Sequence, residues 1–191
     1  MERSKSKLRV LFERIDWPLM VIVSLLVGIG IINLYSAARA TGGFALHVTQ
    51  TIWFLGGLFV IGLMTLVDYR VIERWAYIIY GVVVLMLLAV LAVGTELNGS
   101  KRWLNFGVFL MQPSELLKLA VIIITARYFQ DNSNPEGYRL RDLVKPFALV
   151  GGAVFLVVVQ PDLGTSLVIL AIFMTMVLFE GVRWQSIATM A

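Results

Sequence analysis

Residues 75–93 read WAYIIYGVVVLMLLAVLAV, a run that contains no charged side chain. A helix needs about 20 predominantly apolar residues to cross the hydrocarbon core of a bilayer, so this run is long enough to span a membrane. Backbone N–H and C=O groups in lipid must be satisfied within the segment, which makes a helix the expected conformation. The stretch therefore predicts a membrane-spanning helix.

The composition of the whole chain agrees with a membrane protein. Hydrophobic residues make up 59% of the 191 residues and charged residues 15%, whereas soluble domains average about 45–50% and about 25%. The mean hydropathy is +0.86. The chain has no cysteine and a single histidine, which excludes disulfides and thiolate metal sites. A divalent cation bound by carboxylates is the cofactor that the sequence leaves open.

Six segments are apolar enough, and long enough or nearly so, to be spans. They are Trp17 to Tyr35, Val48 to Val67, Trp75 to Val93, Pro113 to Tyr128, Lys145 to Gln160, and Pro161 to Phe179. We expect an all-α, polytopic membrane helix bundle of six spans plus the start of a seventh. Residues 1–16 would be a basic cytoplasmic tail, and residues 17–191 the N-terminal part of a transmembrane domain.

Lysine and arginine predict the orientation. With a cytoplasmic N-terminus, the outer segments hold only Arg39, Lys101 and Arg102, and Lys118 lies within a span. The remaining 12 of the 16 basic residues are then cytoplasmic. Because cytoplasmic loops carry the excess of Lys and Arg, we expect the N-terminus inside and residues 94–111 outside. Asn98-Gly99 in that outer loop indicates a turn, and a short hairpin or re-entrant element would suit it.

Two Gln-Pro motifs introduce acidic residues at the outer ends of spans. Gln112-Pro113-Ser114-Glu115 opens one helix, and Gln160-Pro161-Asp162 opens another. Proline suits the first helical position, which puts Glu115 and Asp162 in the first turns, where the helix dipole stabilises a carboxylate by about 0.3–1 kcal/mol. The acids therefore have a structural interpretation as caps and a functional one as site residues.

Two basic residues belong to the same outer region. Lys118 lies three residues after Glu115, so the two can pair on one helix face, and it either snorkels to the headgroups or faces a polar cavity. Arg102 beside Trp103 is either an interfacial anchor or a phosphate ligand. An ionisable residue at membrane depth is a functional-site candidate by default. The candidate polar-cavity set is Arg102, Gln112, Ser114, Glu115, Lys118, Gln160 and Asp162.

At these motifs the sequence resembles the SEDS family (shape, elongation, division, sporulation proteins), and is most similar to its RodA branch. The matching residues are Asn33-Leu34-Tyr35-Ser36-Ala37, Asn98-Gly99-Ser100-Lys101-Arg102-Trp103, Gln112-Pro113-Ser114-Glu115 with Lys118, and Gln160-Pro161-Asp162-Leu163-Gly164-Thr165-Ser166. The match covers the whole chain but about half of a family member.

The resemblance implies a bacterial inner-membrane peptidoglycan glycosyltransferase that polymerises lipid II on the outer face. It also implies a class B penicillin-binding protein as partner, contact with membrane lipids, and no nucleic-acid partner. The family's catalytic aspartate lies in a later outer loop, so we expect no catalytic residue in this chain and no activity from residues 1–191 alone. Glu115, Lys118, Asp162 and Arg102 would be supporting residues of the polar site.

Two other functions fit the same charges. A transporter or lipid flippase also places ionisable residues along a path through a helix bundle. A non-catalytic membrane scaffold could use them to fix the register of its helices. Turnover of lipid II into polymer would distinguish the polymerase from a transporter or flippase. Exchanging the charges of Glu115 and Lys118 would test the scaffold.

Overall fold

The computed structural model describes residues 15–41, 46–97, 100–107, 109–134 and 137–181. The chain divides into two compact units, Met1–Asp68 and Tyr69–Ala191. The expected seventh span and residues 1–14 of the predicted basic tail (residues 1–16) lie outside the described residues.

The first unit contains two long helices, α1 (Trp17–Thr41) and α2 (Leu46–Met64). The Asp16 carboxylate accepts a hydrogen bond from Leu19 N at 3.1 Å, which satisfies one of the free N–H groups at the start of α1. The Tyr35 and His47 rings meet edge to face at 5.0 Å and join the two helices. Most of the other described side chains of α1 and α2 are exposed, as expected of membrane helices.

The second unit is built from α3 (Tyr69–Arg74), α4 (Ala76–Val93), α5 (Pro113–Asp131), α6 (Leu140–Val159) and α7 (Leu163–Glu180). Helix α5 is central and packs against each of the other four. Leu87, Leu117, Val157 and Phe173 are buried almost completely where α4, α5, α6 and α7 meet.

A small antiparallel sheet follows α4. It consists of β1 (Thr95–Leu97), β2 (Ser100–Asn105) and β3 (Leu110–Met111). Strand β1 pairs with β2 so that Leu97 lies opposite Ser100, and β2 pairs with β3 so that Leu104 lies opposite Met111. The predicted hairpin in residues 94–111 is therefore present, and β2 packs on both α4 and α5.

Within the part of the chain that the structure describes, five helices are long and apolar enough to cross a membrane: α1, α2, α4, α6 and α7. The fourth expected span, α5, is not in this set because its 19 residues include Glu115, Lys118, Arg127 and Asp131. At 1.5 Å per residue α5 is about 28 Å long, close to the thickness of the hydrocarbon core. The described helices form an all-α polytopic membrane bundle.

Two predicted helix starts differ from the structure. The helix expected from Lys145 begins at Leu140, because the Asp142 carboxylate accepts a hydrogen bond from Arg139 N at 3.0 Å and caps an earlier turn. The helix expected from Pro161 begins at Leu163, with Asp162 as its N-cap instead of a first-turn residue. The carboxylate of Asp162 accepts from Thr165 N at 3.3 Å, the usual geometry of an acidic N-cap.

Candidate functional site

Arg102 connects the hairpin to the junction between α6 and α7. Its Nε donates to the carbonyl oxygen of Gln160 at 3.1 Å, and its Nη2 donates to the carbonyl oxygen of Pro161. Its Nη1 lies 3.6 Å from Asp162 Oδ1. All three guanidinium nitrogens thus face one short stretch of chain. In this conformation Arg102 positions the junction between α6 and α7. This role differs from both interpretations of the sequence, a phosphate ligand and an interfacial anchor.

Asp162 is a buried carboxylate, with 6% of its surface exposed. Oδ1 accepts from Thr165 N and faces Arg102, while Oδ2 accepts from Gln112 Nε2 at 2.9 Å. Removing a carboxylate from water is costly unless it is paired and hydrogen-bonded, and these three contacts supply both. The cation that accompanies Asp162 is therefore Arg102, from a strand 60 residues earlier in the chain.

The two glutamines of the Gln-Pro motifs both make contacts between elements. Gln112, just before α5, holds Asp162 at the start of α7. Gln160 is 2% exposed, and its Nε2 donates to the carbonyl oxygen of Leu87 in the middle of α4 at 3.0 Å. The structure thus gathers Arg102, Gln112, Gln160 and Asp162 into one hydrogen-bonded group, called the junction cluster below.

Glu115 and Lys118 form a separate local pair one turn into α5. Lys118 Nζ lies 2.8 Å from both carboxylate oxygens of Glu115. The Glu115 side chain is 56% exposed and the Lys118 side chain 28%. The expected pairing at i,i+3 is present, but no hydrogen bond or ion pair joins this pair to the junction cluster among the described residues.

Ser114, the remaining candidate, is buried at the first turn of α5 with 1% exposure. Its hydroxyl has no hydrogen-bond partner among the described residues, and the same holds for the buried Thr125 hydroxyl three turns later. Sequence reasoning did not single out Thr125. A threonine inside an apolar helical run was its only signal, and such residues usually bond to their own backbone.

The site is suited to binding and positioning. Lys118 and Arg102 are cations, the amides of Gln112 and Gln160 are committed to protein acceptors, and Asp162 is enclosed. Within the described part of the chain no three His, Asp or Glu side chains gather as a metal site would require. The Lys118 side chain is partly exposed, and its partner Glu115 is also exposed. Arg102, in contrast, faces the buried carboxylate of Asp162.

Comparison with known proteins identifies the family. Residues 16–191 match the family model of cell cycle proteins that covers FtsW, RodA and SpoVE. A protein of Tolumonas auensis named "Probable peptidoglycan glycosyltransferase FtsW" is 38% identical over 173 residues, which cover 87% of this chain and 44% of that protein. The chain therefore spans about half the length of the curated relatives it matches.

Solved structures agree with the sequence match. Thermus thermophilus rod shape determining protein RodA is 32% identical, with a TM-score of 0.78, over 92% of this chain and 57% of RodA. A chain in a structure described as "Structural coordination of polymerization and crosslinking by a peptidoglycan synthase complex" is 33% identical, with a TM-score of 0.80, over 92% of this chain and 51% of that one. The protein is a multi-pass inner-membrane protein, and it belongs to the FtsW, RodA and SpoVE family of cell cycle proteins.

Proposed function

We propose that this chain is part of a peptidoglycan glycosyltransferase of the RodA type, which polymerises lipid II on the outer face of the inner membrane and governs rod shape. Family membership and the printed names of its relatives support the activity. The RodA-type assignment rests on the Pro161-Asp162-Leu163-Gly164 motif and on the likeness to the Thermus thermophilus protein.

The junction cluster is the observation that carries the proposal for this half of the protein. It fixes three separate segments, β2, the start of α5 and the start of α7, at one end of the bundle. A buried carboxylate with three partners is well suited to hold helix ends in a single arrangement. In the proposal, the cluster shapes the outer polar cavity, and Lys118 with Glu115 is the pair that contacts the charged part of lipid II.

A class B penicillin-binding protein is the proposed partner. One structural neighbour belongs to a complex that coordinates polymerisation and crosslinking. Newly polymerised glycan must be crosslinked, so a crosslinking enzyme is a suitable partner. The proposal also places the N-terminus in the cytoplasm and residues 94–111 outside, as the distribution of basic residues predicts.

The test is the substitution Asp162→Asn in the full-length protein, assayed with lipid II and its partner. Asparagine is an equally good N-cap, so expression and helix α7 should be preserved. The loss of charge removes the ion pair with Arg102, and we expect glycan polymerisation to fall at least about tenfold, the effect of about 1.4 kcal/mol.

The matched control is Asp142→Asn, which removes one capping carboxylate from the opposite end of the bundle. It should leave polymerisation within about twofold of the wild type. Full activity of Asp162→Asn would reduce Asp162 to a helix cap. Movement of lipid II across the membrane without polymer formation would instead favour the flippase.

A further inference from the structure

A polar cavity lies at the opposite end of α5 and α6 from Gln112 and Gln160. Its volume is about 440 Å³, and it opens between the last turn of α5 and the first turns of α6. The lining includes Asn132, Ser133, Arg141, Asp142 and Lys145. The cavity shares no residue with the junction cluster or with the Glu115–Lys118 pair, so the proposed polymerase site leaves it without a role.

The carboxylates of this cavity are already engaged. Asp131 receives two hydrogen bonds from Arg127, with Nη2 at 2.9 Å from Oδ1 and Nε at 2.9 Å from Oδ2. Asp142 accepts from Arg139 N at 3.0 Å as part of the α6 cap. Asp131 is therefore paired with a cation, and Asp142 is engaged as a helix cap by a backbone N–H.

The cations of the cavity are not compensated in this way. The side chains of Arg141 and Lys145 make no hydrogen bond and no ion pair among the described residues, and both line the cavity. They stand four residues apart on α6, which places them on the same helix face. Two like charges at this spacing repel each other, and an anion bound between them would be attracted by both.

The neighbours of this basic pair indicate where it lies relative to lipid. Helix α6 is one of the five candidate spans, and the pair occupies its first two turns. Val144 is 62% exposed and Phe147 is 41% exposed beside it. Apolar side chains that face outward immediately next to a cationic cavity are typical of the membrane–water boundary, the depth at which phospholipid phosphates are found.

We propose that this cavity binds the phosphate group of an anionic phospholipid. The Arg141 guanidinium can hold two phosphate oxygens in parallel, and the Lys145 ammonium supplies a second charge. Amide and hydroxyl groups of Asn132 and Ser133 line the same space and suit a polar headgroup. The acyl chains would extend along Val144 and Phe147. Basic pockets of this kind at helix ends are a known way for membrane proteins to hold specific headgroups.

The test measures binding of dioctanoyl phosphatidylglycerol to the purified full-length protein in a neutral detergent by microscale thermophoresis. Two basic residues near a headgroup contribute enough that the double substitution Arg141→Gln/Lys145→Gln should weaken binding about 30-fold. The charge-preserving double substitution Arg141→Lys/Lys145→Arg should keep most of the affinity, and circular dichroism should show the same helix content in every variant.

The matched control is Arg70→Gln/Arg74→Gln, which removes the same charge at the same spacing from α3. It should bind phosphatidylglycerol like the wild type. An equal loss in this control would mean general surface attraction and would overturn the site. Dioctanoyl phosphatidylcholine that binds as tightly as phosphatidylglycerol would also overturn it, as would inorganic phosphate that binds with the lipid's affinity, since the ligand would then be free phosphate.

Discussion

At the scale of single residues, the fold determines which cation pairs with Asp162. The sequence places two cations, Lys118 and Arg102, in the same outer region as Asp162, and it does not predict that this carboxylate is buried. Only the fold decides between the two cations, because β2 brings Arg102 to within 3.6 Å of the carboxylate, while Lys118 is bound by Glu115 on its own helix. A pair at i,i+3 is readable from spacing, whereas a contact across 60 residues is not.

The Glu115–Lys118 pair gives a prediction at this scale. Lys118→Met leaves the Glu115 carboxylate without its cation, so it should destabilise the protein more than Lys118→Met combined with Glu115→Gln. Because Glu115 is more than half exposed, we expect a coupling free energy of about 0.2–1 kcal/mol, the range of exposed pairs. Thermal unfolding in detergent of both single variants and the double variant measures it.

Two further results would test whether the charges of Glu115 and Lys118 are coupled and whether they act on substrate. Strictly additive losses in the cycle would mean that the two charges are not coupled. The charge swap Glu115→Lys/Lys118→Glu should keep stability but abolish lipid II polymerisation in the full-length protein. A swap variant that is fully active would indicate a pair that only fixes helix register, as in the scaffold interpretation.

At the scale of elements, the sequence predicted the helices better than their boundaries. All six proposed spans are helical, and α5 begins at Pro113 as expected. The starts of α6 and α7 were misplaced because each is set by a carboxylate that caps the backbone, and a cap is a local choice among several acidic or polar residues. The short helix α3 was not predicted, since six residues are too few for a periodic signal.

The hairpin gives the prediction for elements. Arg102→Lys keeps the charge but offers one nitrogen where the guanidinium offers three, so the contacts to Gln160, Pro161 and Asp162 cannot all be made. We expect backbone amides of β1 and β2 to exchange hydrogen at least about tenfold faster, measured by hydrogen–deuterium exchange with mass spectrometry. Lys101→Arg, one residue earlier on the exposed side of β2, is the control and should exchange like the wild type.

Unchanged exchange in Arg102→Lys would mean that strand pairing and packing on α4 and α5 hold the hairpin without the guanidinium.

Gly94 determines how the chain passes from α4 into the hairpin. A Cβ at this position would lie 2.3 Å from the carbonyl oxygen of Val90, closer than real Cβ atoms approach. The chain can therefore leave α4 in this direction only with glycine at the turn into β1.

At the scale of the whole molecule, composition and hydropathy predicted the membrane bundle, and four short motifs predicted the family. Long apolar runs are sufficient for the first, because lipid leaves the backbone few alternatives to a helix. The packing order, with α5 in the centre, could not be predicted, since α5 is the least apolar of the long helices. Its charged side chains lie towards its two ends and are paired there, Lys118 with Glu115 and Arg127 with Asp131.

Orientation is the prediction for the whole molecule. The chain has no cysteine, so single cysteines introduced at Ser100 and Ser133 report separately on the two ends of the bundle. A membrane-impermeant maleimide applied to intact spheroplasts should modify Ser100→Cys and spare Ser133→Cys, while both should react after permeabilisation. The opposite labelling pattern would reverse the proposed topology, and with it the outer location of the junction cluster.

The contacts of Arg102 also bear on how the sequence can drift over evolutionary time. Two of its three acceptors are main-chain carbonyl oxygens, at residues 160 and 161, and every amino acid supplies such an oxygen. Mutation at those two positions leaves these bonds available, so selection for them falls on the arginine alone. Only the third contact, between Arg102 and Asp162, links two side chains. An alignment of homologues should therefore show covariation between positions 102 and 162.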